Sequence, residues 1–251
     1  MSHRPVVLCI LDGLGIGSGQ ADDAVATART PTLHRLRQGP TLQLKAHGTA
    51  VGLPSDADMG NSEVGHNAMG AGRVFDQGAS LVNQAIASGA IFQSGAWSAM
   101  TSGGTLHLLG LVSDGNVHSH VDHLNALIDG AVASGVQRLR VHALTDGRDV
   151  AGRSALTWLA PLEAKLAALP IDARVASGGG RMRITMDRYN ADWSMVQRGW
   201  ATHVHGEGRA FASAVEAVET MYAEDASVDD QNLDAFVIHD AKGPVGRIAD
   251  G

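Results

Sequence analysis

A single cysteine, Cys9, in 251 residues excludes any disulfide within the chain. Its place inside the apolar run Val6 to Leu11 reads as that of a buried core residue. That run, the longest of the early chain, is far too short for a membrane span or a signal-peptide core, and no small-residue cleavage site follows it. The expectation is a cytoplasmic protein with no membrane partner. Charge is sparse too, at 18% of the residues, with a formal net charge of −7. No run of Lys and Arg interleaved with aromatics offsets that acidic balance, so nucleic acid is not an expected partner. Internal repeats and low-complexity tracts are absent.

What is present suits a globular α/β protein. The hydrophobic fraction of 44% is enough for a substantial core, and 31 glycines imply many backbone-rich loops, where function concentrates. Val6 to Leu11 reads as a buried strand broken by the turn Asp12-Gly13-Leu14-Gly15, which puts Asp12 at a strand's C-terminal end. A short helix is expected over Thr32 to Gln38 and a strand over Leu42 to Lys45. A helix should start near Gly60-Asn61-Ser62-Glu63-Val64-Gly65-His66. From about Ser80 the pattern alternates: strands Thr105 to Val112, Leu139 to Ala143, Ala173 to Ser177 and Ala235 to His239, with helices Val121 to Ser134, Ala155 to Ala168, Ala191 to Gly199 and Ser213 to Ala223. Such alternation predicts a doubly wound parallel sheet. A domain change is placed near Asp76 to Ala79, dividing the chain into 1–77 and 78–251. The end at Ile248-Ala249-Asp250-Gly251, without a closing helix, reads as a truncation.

Ligands gather at the carboxyl ends of parallel strands. Three loops there mix glycine with charge: Ser113-Asp114-Gly115-Asn116-Val117-His118-Ser119-His120, Thr145-Asp146-Gly147-Arg148-Asp149, and Gly178-Gly179-Gly180-Arg181, continuing through Arg183 to Arg188. Guanidinium groups suit carboxylates and phosphates, so the implied ligand is a small anion, although any one such Arg more often pairs with a surface carboxylate. His118, His120 and His123 have a spacing seen in metal hydrolases, but helix-start and substrate roles are the preferred reading; His203 and His205 read as surface residues. Asp12 is by default a turn residue, and Ser62 by default a helix N-cap. The same helix start could cradle a phosphoryl group on the Ser62 oxygen, with a divalent metal easing loss of the hydroxyl proton.

Leu11 to Gly15, Gly60 to His66, Ser113 to His120 and Asp146-Gly147-Arg148-Asp149 together resemble, in order and spacing, the cofactor-independent phosphoglycerate mutases. The stretch Gly178 to Arg181 through Met186-Asp187-Arg188-Tyr189 to Asp192-Trp193 looks most like the plant and trypanosomatid branch. The resemblance implies an N-terminal portion: residues 1–77 as the first segment of an alkaline-phosphatase-like domain and 78–251 as an inserted phosphotransferase domain. It implies interconversion of 3- and 2-phosphoglycerate in glycolysis and gluconeogenesis through a phosphoserine, without 2,3-bisphosphoglycerate, by a monomer. Ser62 would be the nucleophile and, with Asp12, a ligand of the two manganese ions of the complete enzyme. His118, Arg148, Asp149, Arg181 and Arg188 would bind phosphoglycerate, with Asp149 a proton carrier. Related phosphatases or phosphopentomutases, and a non-catalytic anion-binding domain, are the competing readings.

Overall fold

The computed structural model describes residues 5–12, 14–186 and 192–249. Arg188, with the rest of 187–191, lies outside the described residues, as does Gly13.

Among the described residues, five α-helices precede the sheet: α1 (Ala24–Thr27), α2 (Pro31–Arg37), α3 (Ser62–Ala71), α4 (Gly78–Ala87) and α5 (Gly95–Thr101). Helix α2 starts on Pro31, whose missing N–H is no loss in the first turn. Helix α3 is capped by Asn61, whose side chain accepts from Val64 N at 2.9 Å, and Glu63 in the first turn complements the helix dipole. The cap is thus Asn61 and not Ser62. That leaves the Ser62 hydroxyl available for other contacts.

The two early strands do not form. Val6 is 97% exposed, Leu42 and Leu44 are exposed, and Cys9 lies on the surface instead of in a core. An apolar run becomes a strand only when neighbours complete its hydrogen bonds and cover its side chains. No described strand pairs with either segment.

Beyond α5 the alternation holds: β1 (Leu106–Leu111), α6 (Val121–Ala133), β2 (Arg138–Thr145), α7 (Ala155–Ala168), β3 (Asp172–Gly180), α8 (Trp193–Trp200), β4 (Arg209–Phe211), α9 (Ala214–Glu224), β5 (Phe236–Asp240) and β6 (Gly243–Pro244). The described strands form one sheet in the order β1-β2-β3-β5-β4, with β6 paired to β5. Strands β1, β2 and β3 are parallel, as are β4 and β5, but β5 runs antiparallel to β3. The sheet is therefore mixed, which corrects the fully parallel expectation. Helix α8 and a π-helical turn, Ala201–His205, carry the chain across one face after β3, so that the β4–α9–β5 unit joins the sheet in the opposite direction.

The two faces differ in kind. One packs Leu106, Leu139, Val141, Ala143, Ala173 and Val175 against the helix layer containing Ile128, Leu159, Leu162, Ala217 and Val218. The other carries a smaller cluster, Leu111 and Leu144 with Ile184, beside polar residues. Between Val141 and His142 the register of β2 against β3 shifts: Val141 pairs with Val175, but His142 pairs with Ser177, leaving Ala176 as an extra residue. This bulge brings Ser177 to the same face as His142, and their side chains meet at 2.7 Å. His203, read from sequence as a surface residue, is buried there with its Nδ1 2.8 Å from Ser177 Oγ. The packing of α8 and the π turn on this face, invisible in the local sequence, covers it. His205 is exposed, as expected.

Candidate functional site

The carboxyl ends of β1, β2 and β3 converge as strand order requires. Ser113 follows β1, and its hydroxyl donates to Asp146 Oδ2 at 2.6 Å. Asp146 follows β2, and its Oδ1 accepts from the backbone N–H groups of Arg148 (3.2 Å) and Asp149 (3.1 Å). Arg181 follows β3, and its Nη1 reaches both Asp146 Oδ1 and Asp149 Oδ2 at 2.7 Å. Burial pushes the Asp146 carboxyl up, but Ser113, the two backbone amides and Arg181 together outweigh it and hold the carboxyl below its ordinary value. Asp146 is therefore an anionic hub joining the three strand ends. In the sequence Asp146 is marked only by the Asp-Gly turn directly after a buried strand. The β1 loop comes in close because residue 115 is glycine: a Cβ there would lie 2.8 Å from Asp149 Cβ.

Around this hub a cleft of about 580 Å³ is lined by Ser62, His118, Arg148, Asp149 and Arg181, together with Met182 and Met186. His118 is partly exposed, with Nε2 4.0 Å from Asp149 Oδ2. The N-terminal segment meets the cleft through α3. Ser62 Oγ donates to Asp12 Oδ2 at 2.6 Å, and His66 Nδ1 lies 2.6 Å from the Ser62 carbonyl oxygen and 3.3 Å from Oγ. A further tie comes from Asn116 Nδ2, which donates to Asp58 Oδ1. The structure thus gathers Ser62, Asp12, His118, Arg148, Asp149 and Arg181 in one region, while Arg188 lies outside the described residues. His120 departs from the cleft lining: its side chain accepts from Asp122 N and caps α6, and His123 Nε2 lies 2.6 Å from Asn83 Oδ1.

A carboxylate and a hydroxyl suit a hard divalent cation in kind, but such an ion takes about six or more oxygens. Among the described residues no group of three or more His, Cys, Asp or Glu side chains is arranged to hold one. Asp12 and Ser62 therefore do not make a metal site by themselves.

Arg181 is as much a structural group as a ligand-binding one. Arg181→Ala would leave the Asp146 charge, 3% exposed, without its cation, and breaking a buried pair in this way costs about 3 to 5 kcal/mol. Chemical unfolding of this variant is expected to show that loss. A variant with wild-type stability would show the pair to be solvated.

The family model for the BPG-independent PGAM N-terminus matches residues 82–251. A probable 2,3-bisphosphoglycerate-independent phosphoglycerate mutase of Leptospira interrogans is 56% identical over 259 residues, covering 99% of this chain and 47% of that protein. The enzyme of that name from Trypanosoma brucei brucei is 53% identical, covering 100% of this chain and 48% of its own length. A probable counterpart from Arabidopsis thaliana is 50% identical over 99% of this chain and 46% of its own. Among solved structures, Leishmania mexicana phosphoglycerate mutase at low cobalt concentration superposes with a TM-score of 0.87 at 50% identity, over 96% of this chain and 46% of that one. The chain spans about half the length of the curated relatives it matches. With a family model covering most of the sequence and relatives aligned from end to end of it, the chain belongs to the BPG-independent phosphoglycerate mutases, as their N-terminal portion.

Proposed function

We propose that this chain contributes the phosphoryl-accepting serine and the glycerate anchor of an isomerase that interconverts 3-phosphoglycerate and 2-phosphoglycerate without 2,3-bisphosphoglycerate. The observation that carries the reading is the Ser62–Asp12 hydrogen bond on the rim of a cleft also lined by His118, Arg148, Asp149 and Arg181. In this scheme the bond from Ser62 Oγ to phosphorus forms as the bond from phosphorus to the glycerate oxygen breaks, and the hydroxyl proton passes to Asp12, which already accepts its hydrogen bond and returns the proton when Ser62 is freed. Cationic groups of the cleft hold the glycerate carboxylate while the molecule turns. Asp149 exchanges protons with the glycerate oxygens. The phosphoryl group then passes to the neighbouring hydroxyl, restoring free Ser62. Holding glycerate in place makes the return step effectively unimolecular.

The division at residues 77 and 78, a monomeric state and a cytoplasmic location complete the proposal. Among the described residues no helix is long and apolar enough to cross a membrane. Two manganese ions belong to it only with further ligands besides Asp12 and Ser62. The test is to quench the full-length protein during turnover of 3-phosphoglycerate and to look for a phosphoryl group by peptide mass spectrometry. The expected adduct is on the peptide containing Ser62; turnover with no phosphorylated Ser62 would sink the scheme.

The 251-residue chain by itself is a separate case. It is expected to bind manganese weakly and to convert no 3-phosphoglycerate, because Asp12 and Ser62 offer too few ligands. Calorimetry with manganese and a coupled assay for 2-phosphoglycerate check this. Robust turnover would mean that this chain builds a complete catalytic site of its own.

A further inference from the structure

On the sheet face opposite the main helix layer, four hydrogen bonds join side chains that the scheme above does not use. His107 Nδ1 lies 2.9 Å from His142 Nε2, and His142 Nδ1 lies 2.7 Å from Ser177 Oγ. Ser177 Oγ is 2.8 Å from His203 Nδ1, and His203 Nε2 is 3.0 Å from Thr185 Oγ1. The chain therefore crosses three strands and ends on the segment that follows β3. That segment is the one that gives Arg181, Met182 and Met186 to the cleft.

Thr185 is an unusual residue for its backbone. Its φ is +71°, a left-handed conformation that a β-branched side chain avoids. Such a residue persists where its surroundings over-determine it, and such sites cluster at ligand clamps. Here the surroundings are specific. Thr185 N donates to Met195 O at 3.3 Å, and α8 comes so close that a Cβ on Gly199 would lie 2.4 Å from Thr185 Oγ1. The hydroxyl is gripped by His203, which sits in the π-helical turn after α8, a kind of turn frequent at functional sites. His203 is in turn fixed through Ser177 to His142, which is fully buried. One residue before Thr185, Ile184 is buried between Leu111 and Leu144; one residue after it, Met186 reaches the cleft.

We propose that Thr185 and His203 are positioning residues for the anion cleft: the Thr185 hydroxyl, held by His203, locks the 181–186 segment in the shape that presents Arg181 and Met186 to ligand. Neither residue touches the ligand. Without the lock the segment samples other backbone conformations, and binding must select the competent one, which weakens apparent affinity in proportion. The inference rests on the phosphoglycerate reading of the cleft, so its test needs one arm that does not.

Three variants of Thr185 in the full-length protein separate the possibilities. Thr185→Val keeps the shape and β-branching and removes only the hydroxyl. Thr185→Gly removes the hydroxyl but accepts the positive φ, and Thr185→Ser keeps the hydroxyl. In the first arm, amide hydrogen exchange over 181–186 is followed without ligand. Exchange is expected to accelerate in the Val and Gly variants and to stay near wild type in Ser. In the second arm, KM for 3-phosphoglycerate is expected to rise about tenfold in Val and Gly, with kcat changed less than KM and with Ser restoring KM to within about twofold of wild type. Unchanged exchange in the Val variant, or a wild-type KM in it, overturns the positioning role. Accelerated exchange in a protein whose wild type turns over no 3-phosphoglycerate would uphold the lock and sink the phosphoglycerate reading instead.

Discussion

Ser62→Ala in the full-length protein is expected to abolish conversion of 3-phosphoglycerate to 2-phosphoglycerate while leaving unfolding nearly unchanged. The activity argument is atomic: the substitution deletes the oxygen that accepts the phosphoryl group in the proposed scheme, and among the described residues no other hydroxyl lines the cleft. The stability argument comes from the helix start. Asn61, not Ser62, caps α3, so alanine at the first helical position keeps the cap and has a better intrinsic helix propensity. What is lost is the hydrogen bond to Asp12, whose carboxylate is exposed and can be rehydrated. The net cost should therefore be about 1 kcal/mol or less. Steady-state assays and urea unfolding of the same preparation read both halves. Residual activity above a small fraction of wild type would remove Ser62 from the reaction path.

Mild acid is expected to destabilise this chain earlier than carboxylate protonation alone would. Burial, reinforced by the charges of His203, His107 and Arg140, lowers the His142 pKa to about 3, and burial lowers that of His203 to about 4. In the unfolded chain both rings return to about 6.5. Between those values the unfolded state binds more protons than the folded state, so stability falls as pH falls. The contribution is complete above about pH 6.5 and declines towards pH 4, by an amount on the order of 5 kcal/mol for the two rings together. Denaturant midpoints at intervals from pH 7 to pH 4 should therefore slope downward across the whole range, and His203→Gln should flatten the slope. A flat profile from pH 7 to pH 5 would show that water or rearrangement relieves the burial.

Some of this fold could be read in advance for identifiable reasons. Helix α7 was expected over Ala155 to Ala168 and spans those residues, and β1, β2 and β3 fall where apolar runs alternate with helical patterns. The site loops were legible because glycine and charge directly after a buried strand have few other uses in a parallel sheet. The failures share a cause: burial is a property of neighbours. Val6 to Leu11 is more apolar than β2, yet without a described partner strand it is exposed, whereas His203 looks polar in sequence and is covered by packing across the sheet. Strand β4, three residues long, is too short to leave a periodic signature, and its direction relative to β3 depends on a crossover no local pattern encodes. The hub role of Asp146 depended on the meeting of three strand ends, which spacing alone does not specify.

The extra residue at Ala176 reverses odd and even along β3. Before it, Ala173 and Val175 belong to the main core; after it, Ser177 stands on the opposite side, against His142. A chain without Ala176 would keep its glycine run, its arginines and the facing of Ser177 on His142, because plain alternation from Val175 puts the next residue on that side. What it would lose is the local kink and added twist that the extra residue gives, so that the end of β3 would leave the sheet in another direction and carry Arg181 with it. Length at that position therefore sets the bend of the strand end, which residue-by-residue substitution leaves in place and a single deletion removes.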